Sequence, residues 1–369
     1  MTDFGIVGEP TFTIVYTILY ILFFIVVFYF FLVKNLTGKN LSKSISNILS
    51  AIYLVALSFI VGLRTYNIGV DTETYKIMWD YDVKSTSNEV IFYYLMSFVK
   101  FLGLPFGIFL LIVSLSFHLA IYRALKNITD YFKVDLHYII FCLFSLFFVL
   151  SMSINVIRQG LSLAILLYAY SLSLNKSKRF IIFAILSVFI HTTSIIPISI
   201  FIFIKVLPKK IFLGYFVFAY FSAILIAYLN IGILDIVPFL GNILADNQRA
   251  SYLQVESDVY TVGFKLQFVT FNTILLCLAF FSRKYNYFKA NTYLSVEYEV
   301  ILKYYIVTSI LFFMVFQIPY SDRWGLFSWI SIPLLILPYF SRINDLSRYK
   351  FFIILFFLFV FIFFRILYI

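Results

Sequence analysis

Four arginines carry most of the chemistry this sequence offers: Arg64, Arg158, Arg249 and Arg323, drawn from four separated parts of the chain. A guanidinium is a planar fork that stays charged at physiological pH and grips phosphate oxygens in pairs. Arg158 sits in Asn155-Val156-Ile157-Arg158-Gln159-Gly160, a polar cluster between two apolar runs. An ionisable residue there is costly and usually faces a bundle interior or a wet cavity, so it ranks first among the candidates. Its bland alternative is a solvated helix-hairpin turn. Arg64 closes an apolar run and precedes Gly69, Asp71 and Tyr75. It reads either as an anion-binding arginine or as an interface arginine paired with Asp71. Arg249 and Tyr252 share Asn247-Gln248-Arg249-Ala250-Ser251-Tyr252, a substrate-binding pair or a solvated loop face. Arg323 lies in Asp322-Arg323-Trp324, a ligand group or an interfacial salt bridge with a belt tryptophan. Guanidinium groups from these stretches, turned to one vestibule, would suit a diphosphate headgroup whose lipid tail stays in the membrane.

Proton transfer has fewer candidates. His191 is one of three histidines and heads His191-Thr192-Thr193-Ser194, with Asp71 as the other possible base. His118 and His137 lie in or beside ordinary helical runs. Asp80-Tyr81-Asp82 resembles a metal-binding acidic pair but has no nucleotide-binding fold around it. No metal site, P-loop or nucleophile elbow is present in the pattern, and no cofactor is expected. Cys142 and Cys277 sit singly in apolar runs and imply neither a metal site nor a disulfide framework.

The elements that position these groups must be membrane helices. The 369 residues are 63% hydrophobic and only 12% charged, with 48 Phe and 29 Tyr. A soluble domain carries roughly a quarter charged residues. Residues 11–33 run without a charge, longer than the roughly 20 residues a bilayer needs. They are also too long for a cleaved leader. The net charge of +11 does not point to nucleic acid, because the basic residues gather in short connectors. The basic groups around residues 34–43, 123–133, 176–179, 205–210, 283–303 and 342–350 therefore face the cytoplasm.

Threading between them predicts helices at about 11–33, 45–63, 105–123, 136–155, 157–175, 211–231, 264–282, 300–318, 325–341 and 351–368. Residues 180–190 and 194–204 are each 11 long, roughly 17 Å of helix, and predict a short hairpin with His191 at its tip. Residues 88–102 predict an interfacial or re-entrant helix. The expected fold is an all-α polytopic membrane protein. It has about 12 transmembrane or re-entrant helices in a single domain, 1–369, with two larger outer loops at 64–88 and 232–263.

The ordered set Arg64…Gly69-x-Asp71…Tyr75, Asn155-x-x-Arg158-Gln159, His191-x-x-Ser194, Arg249-x-x-Tyr252 and Arg323 with Pro333 resembles the EpsG family of polysaccharide polymerases. That family is related to the Wzy-type O-antigen polymerases. The resemblance runs from about Leu54 to Tyr339 and implies a GT-C-like architecture in a bacterial inner membrane, with a periplasmic active site. It implies transfer between undecaprenyl-diphosphate-linked oligosaccharide units, without metal, with a chain-length regulator as a possible partner. The first loop lacks the compact acidic signature of metal-dependent relatives. A glycan ligase, a flippase or transporter of lipid-linked sugar, and a membrane acyltransferase are the competing readings.

Overall fold

A computed structural model describes residues 5, 7–39, 41–81, 90–208, 211–236, 262–284, 292–342 and 347–367. Every regular element among them is helical. Contacts divide the chain into two compact units, residues 1–195 with 339–369, and residues 196–338.

The first unit opens with α1 (Glu9–Thr37), started by Pro10 in its first turn and stopped by Gly38 in a left-handed cap at φ 67°. Phe12, Tyr16, Tyr20, Phe23, Val27 and Phe31 form its buried stripe, while Ile14, Ile18, Leu22 and Ile25 stay exposed. A helix apolar on all sides fits lipid rather than water. In α2 (Lys43–Gly62) the Ser42 hydroxyl caps the start by accepting from Ile45 N at 3.2 Å. Ser46, Ser50 and Ser58 are buried, and a Cβ on Gly62 would lie 2.6 Å from Leu111 Cα. Small residues thus let α2 approach α5 (Phe106–Phe132), as membrane helices do where they pack closely. Between them come two short helices, α3 (Val70–Tyr81) and α4 (Val90–Phe101).

The predicted helix over 136–155 is broken. It forms α6 (Leu136–Phe144) and α7 (Phe147–Ile154), bent by 77°. Ser145 sits at the bend, where its hydroxyl donates to Phe141 O at 2.8 Å and meets Tyr20 Oη at 2.7 Å. The unit continues through α8 (Ile157–Leu174), α9 (Phe180–Ile190) and a 3-10 turn over Thr192–Ser194. It closes with α17 (Ser347–Leu367).

Its two ends differ. At one, Val7 N donates to Leu63 O and Thr65 N to Val7 O, so the start of α1 lies beside the end of α2. At the other, Lys43 pairs with Asp130 at 2.8 Å, and Arg342 pairs with the buried Asp135. Three of the six basic groups, around residues 34–43, 123–133 and 342–350, meet there.

The second unit holds most of α10 (Ile195–Val206), then α11 (Leu213–Tyr228) and α12 (Ile233–Ile236). It continues with α13 (Leu266–Lys284), α14 (Thr292–Met314), α15 (Asp322–Trp329) and α16 (Ile332–Leu335). Asn272, fully buried, joins three of these helices. Its amide donates to Ser309 Oγ at 3.3 Å, accepts from Trp329 Nε1 at 2.7 Å, and its carbonyl accepts from Tyr305 Oη at 2.9 Å. The helix expected at 300–318 starts earlier, because its charges neutralise one another. Lys205 meets Glu297 at 2.6 Å, and Glu299 is flanked by Lys303 at 3.0 Å and Arg283 at 3.5 Å. The stretch expected as one helix over 325–341 is instead α15, α16 and a 3-10 turn over Leu337–Phe340.

Six helices among the described residues are long and apolar enough to cross a membrane, seven if α6 and α7 make one broken span. The apolar helices α4, α9 and α11 are shorter, as is the helical stretch from the 3-10 turn through α10. α4, α9 and α10 are the segments predicted to stop short of a crossing, whereas α11, expected as a longer helix over 211–231, is 16 residues long.

Candidate active site

The site is built on a break between helices. After α7 the chain turns through Asn155, at φ −97° and ψ −74°, and restarts as α8 at Ile157. Two glycines let other backbone reach this break. Gly69 has φ 102°, and a Cβ there would stand 2.2 Å from Ile154 O. A Cβ on Gly160 would stand 2.1 Å from Met152 O. Neither position admits a larger residue without moving backbone, and Gly69 also needs a left-handed conformation. Val70 N then donates to Asn155 Oδ1 at 3.1 Å, which starts α3 over the break.

Arg64 fastens the same turn. It is 2% exposed. Nε donates to Ile68 O at 3.1 Å and Nη1 to Val61 O at 2.5 Å. Nη2 donates to Thr72 Oγ1 at 2.9 Å and Ile154 O at 3.3 Å. Thr72 Oγ1 in turn donates to Ile154 O at 2.7 Å. Buried backbone oxygens need such donors, and a fork with five N–H groups supplies several at once. One side chain therefore links the end of α2, the 65–69 turn, α3 and the end of α7. Burial lowers its pKa to about 9, which leaves it charged at neutral pH. The alternative partner considered for it, Asp71, is not among these acceptors.

Arg158, the second residue of α8, is half-buried. Nε donates to Tyr75 Oη at 2.7 Å and Nη1 to Tyr93 Oη at 2.9 Å. The guanidinium carbon lies 5.3 Å from the Tyr75 ring centre and 5.7 Å from that of Tyr93, within cation–π range. Burial raises the Tyr75 pKa, the nearby Arg158 charge opposes this, and Asp71 adds to it. Tyr75 is therefore a neutral phenol. Asp71 and Tyr75 are one turn apart on α3 and share its face. Arg158 and Tyr75 are thus in contact, with Asp71 one turn from Tyr75 on α3. Tyr93 joins them from α4, and nothing in the sequence pattern singled it out from its neighbour Tyr94. Gln159 is buried beside Arg158 in the chain.

His191 ends α9 in extended backbone, φ −151° and ψ 115°. Its turn docks on α8 through serines. Ser162 Oγ donates to Ser187 O at 2.7 Å and bonds Ser194 Oγ. Ser162 is one turn beyond Arg158 on α8, so the His191 turn packs on the helix that carries the arginine.

Arg323 belongs to the second unit, in the first turn of α15, with its guanidinium 4.9 Å from the Tyr320 ring. Tyr320 has φ 58°, and Lys265 Nζ beside it donates to Ser321 Oγ at 3.1 Å. Pro333 is buried in α16 of the same unit. Arg249 and Tyr252 lie outside the described residues. Asp80 is engaged by Lys76 at 2.6 Å, one turn earlier on α3, and Asp82 is outside the described residues. No group of three or more metal-ligating side chains occurs among the described residues.

Membrane-length helices and an arginine placed at a helix break define a polytopic helical membrane protein. The chain belongs to the EpsG family, whose model matches residues 47–369, most of its length. That family includes Wzy-type polymerase-like proteins, so the chain is a polysaccharide polymerase-like membrane protein. No curated protein and no solved structure shows significant similarity to it.

Proposed function

We propose that this protein polymerises lipid-linked oligosaccharide repeat units into a surface polysaccharide, by glycosyl transfer at the outer face of a bacterial inner membrane. Family membership supports the reaction class. The observation that carries the site is Arg158, held at a helix break beside Tyr75 and Asp71. The proposed architecture is GT-C-like, with about a dozen crossing or re-entrant segments.

The donor is a glycan on undecaprenyl diphosphate, and the acceptor is a hydroxyl on a second unit. The acceptor oxygen forms the new bond to the anomeric carbon. The bond from that carbon to the diphosphate oxygen breaks, and its electron pair leaves on undecaprenyl diphosphate. The acceptor proton passes to His191 or Asp71. An anomeric diphosphate is already a good leaving group, so stabilising its growing charge matters more than a strong acid. Arg158 supplies that charge, with Gln159 beside it. Arg323, Arg249 and Tyr252 are the proposed further substrate contacts, and a separate chain-length regulator is a proposed partner. Arg64 holds the turn that carries Asp71, and its charge adds to the field there.

The test is deletion of the gene followed by gel analysis of the cell's lipopolysaccharide. A ladder that collapses to one repeat unit supports the polymerase. Loss of every repeat unit from the surface overturns it in favour of a ligase or flippase. An unchanged ladder also overturns it.

A further inference from the structure

The helix α4 is 12 residues long, about 18 Å, and cannot cross a bilayer. It is nevertheless firmly placed. Phe92 on α4 is 1% exposed and packs 5.1 Å from the Tyr75 ring and 5.2 Å from Phe109 of α5. Lys100 at its far end donates to Trp79 O of α3. So α4 is held against α3 near both of its own ends, and each helix delivers one tyrosine to Arg158. Tyr75 Oη takes the Nε–H and Tyr93 Oη takes an Nη1–H. Nε and Nη1 branch from the same carbon of the planar group. Two acceptors from two different helices therefore constrain both the plane and the rotation of the fork.

We propose that Tyr93, acting with Tyr75, is a positioning residue for Arg158, and that α4 is retained as a short helix in order to place it. This rests on the polymerase reading, in which Arg158 stabilises the leaving diphosphate. A correctly aimed fork offers paired N–H groups to phosphate oxygens, whereas a rotating one offers a single contact at a time. The phenol oxygens suit the task because they are neutral. A carboxylate in their place would bind the arginine more tightly and compete with the phosphate.

The experiment uses the full-length protein purified in lipid nanodiscs, with lipid-linked repeat units extracted from a deletion strain, and polymer followed by radiolabel. Tyr93→Phe keeps the ring and loses the acceptor, and turnover should fall about tenfold with the melting temperature unchanged. Tyr93→Gln, which returns an acceptor oxygen, should recover more turnover than Tyr93→Leu, although leucine is the better fit for an apolar surface. In an Arg158→Lys background, Tyr93→Phe should cost less than about threefold, because the fork it aims is gone. An equal loss in both backgrounds would overturn the inference. So would wild-type turnover in Tyr93→Phe, or failure of that variant to accumulate, which would assign Tyr93 to folding. Full activity of Arg158→Ala would instead overturn the polymerase site itself, whatever Tyr93 does.

Discussion

The two ends of the first unit treat their arginines differently. Arg342 is answered by a carboxylate, Asp135, at an end where Lys43 also finds Asp130. Arg64 and Arg158, at the other end, are answered by carbonyls, a threonine and two phenols. A carboxylate cancels the charge it binds. Neutral acceptors satisfy the N–H groups and leave the positive potential in place. One end thus joins helices through carboxylate ion pairs, while at the other guanidinium groups join helices through carbonyl and hydroxyl oxygens. The proposed site and the architecture share the second end, so a change there is expected to be felt in both.

The comparison is broken most directly at Arg158. Arg158→Ala should lower polymer synthesis by about 10²–10³ while the protein still reaches the membrane, read as ladder length against immunoblotted membrane fractions. Arg158→Lys should rescue little, since a point charge replaces a fork. Arg64→Leu should act on folding first. It strips side-chain donors from the buried oxygens of Val61 and Ile68 and leaves Ile154 O with Thr72 alone, at a cost of about 3–5 kcal/mol. Low accumulation and a lower melting temperature should precede any measured change in turnover. If Arg64→Leu protein were fully stable yet inactive, Arg64 would belong with the ligand contacts instead.

Gly69→Ala should come next, at about 1–3 kcal/mol, because its Cβ meets Ile154 O and its φ is left-handed. Chemical denaturation should show the loss, with Gly38→Ala, also at positive φ but with open space around it, costing less. The other end gives the smallest effect. Lys43→Ala removes a half-exposed ion pair and should shift stability by no more than about 1 kcal/mol, leaving polymer length unchanged. A large activity loss there would erase the distinction between the two ends.

The helices were legible because their signals are local. Charge-free apolar runs, basic connectors and the 11-residue halves around His191 gave the long helices and the short hairpin, but α3 was missed, because its charged residues 70–81 read as part of a loop over 64–88. The 77° bend was not legible, because Ser145 in an apolar run looks like any small membrane residue until Tyr20 from α1 reaches it. Nor was the early start of α14 visible, since Glu297 and Glu299 read as loop until Lys205, Arg283 and Lys303 neutralise them. At the candidate site, Asn155, Arg158, Gly69 and Tyr75 stood out by type. Tyr93 did not, because it is one of 29 tyrosines and its role depends on the rotation of a short helix. Arg64 stood out for its charge, while its contacts to backbone oxygens leave no trace in residue types.

The reach of Arg64 also limits how this molecule can be recombined with its relatives. One side chain ties oxygens at 61, 68 and 154 to a hydroxyl at 72, across almost a hundred residues of chain. A chimaera that exchanges the segment between α2 and α5 alone would pair a foreign turn with a native break. Crossover points that keep 61–155 as one inherited block should yield folded hybrids, and crossovers inside it should not. Any exchange of segments between such proteins has to carry that block whole.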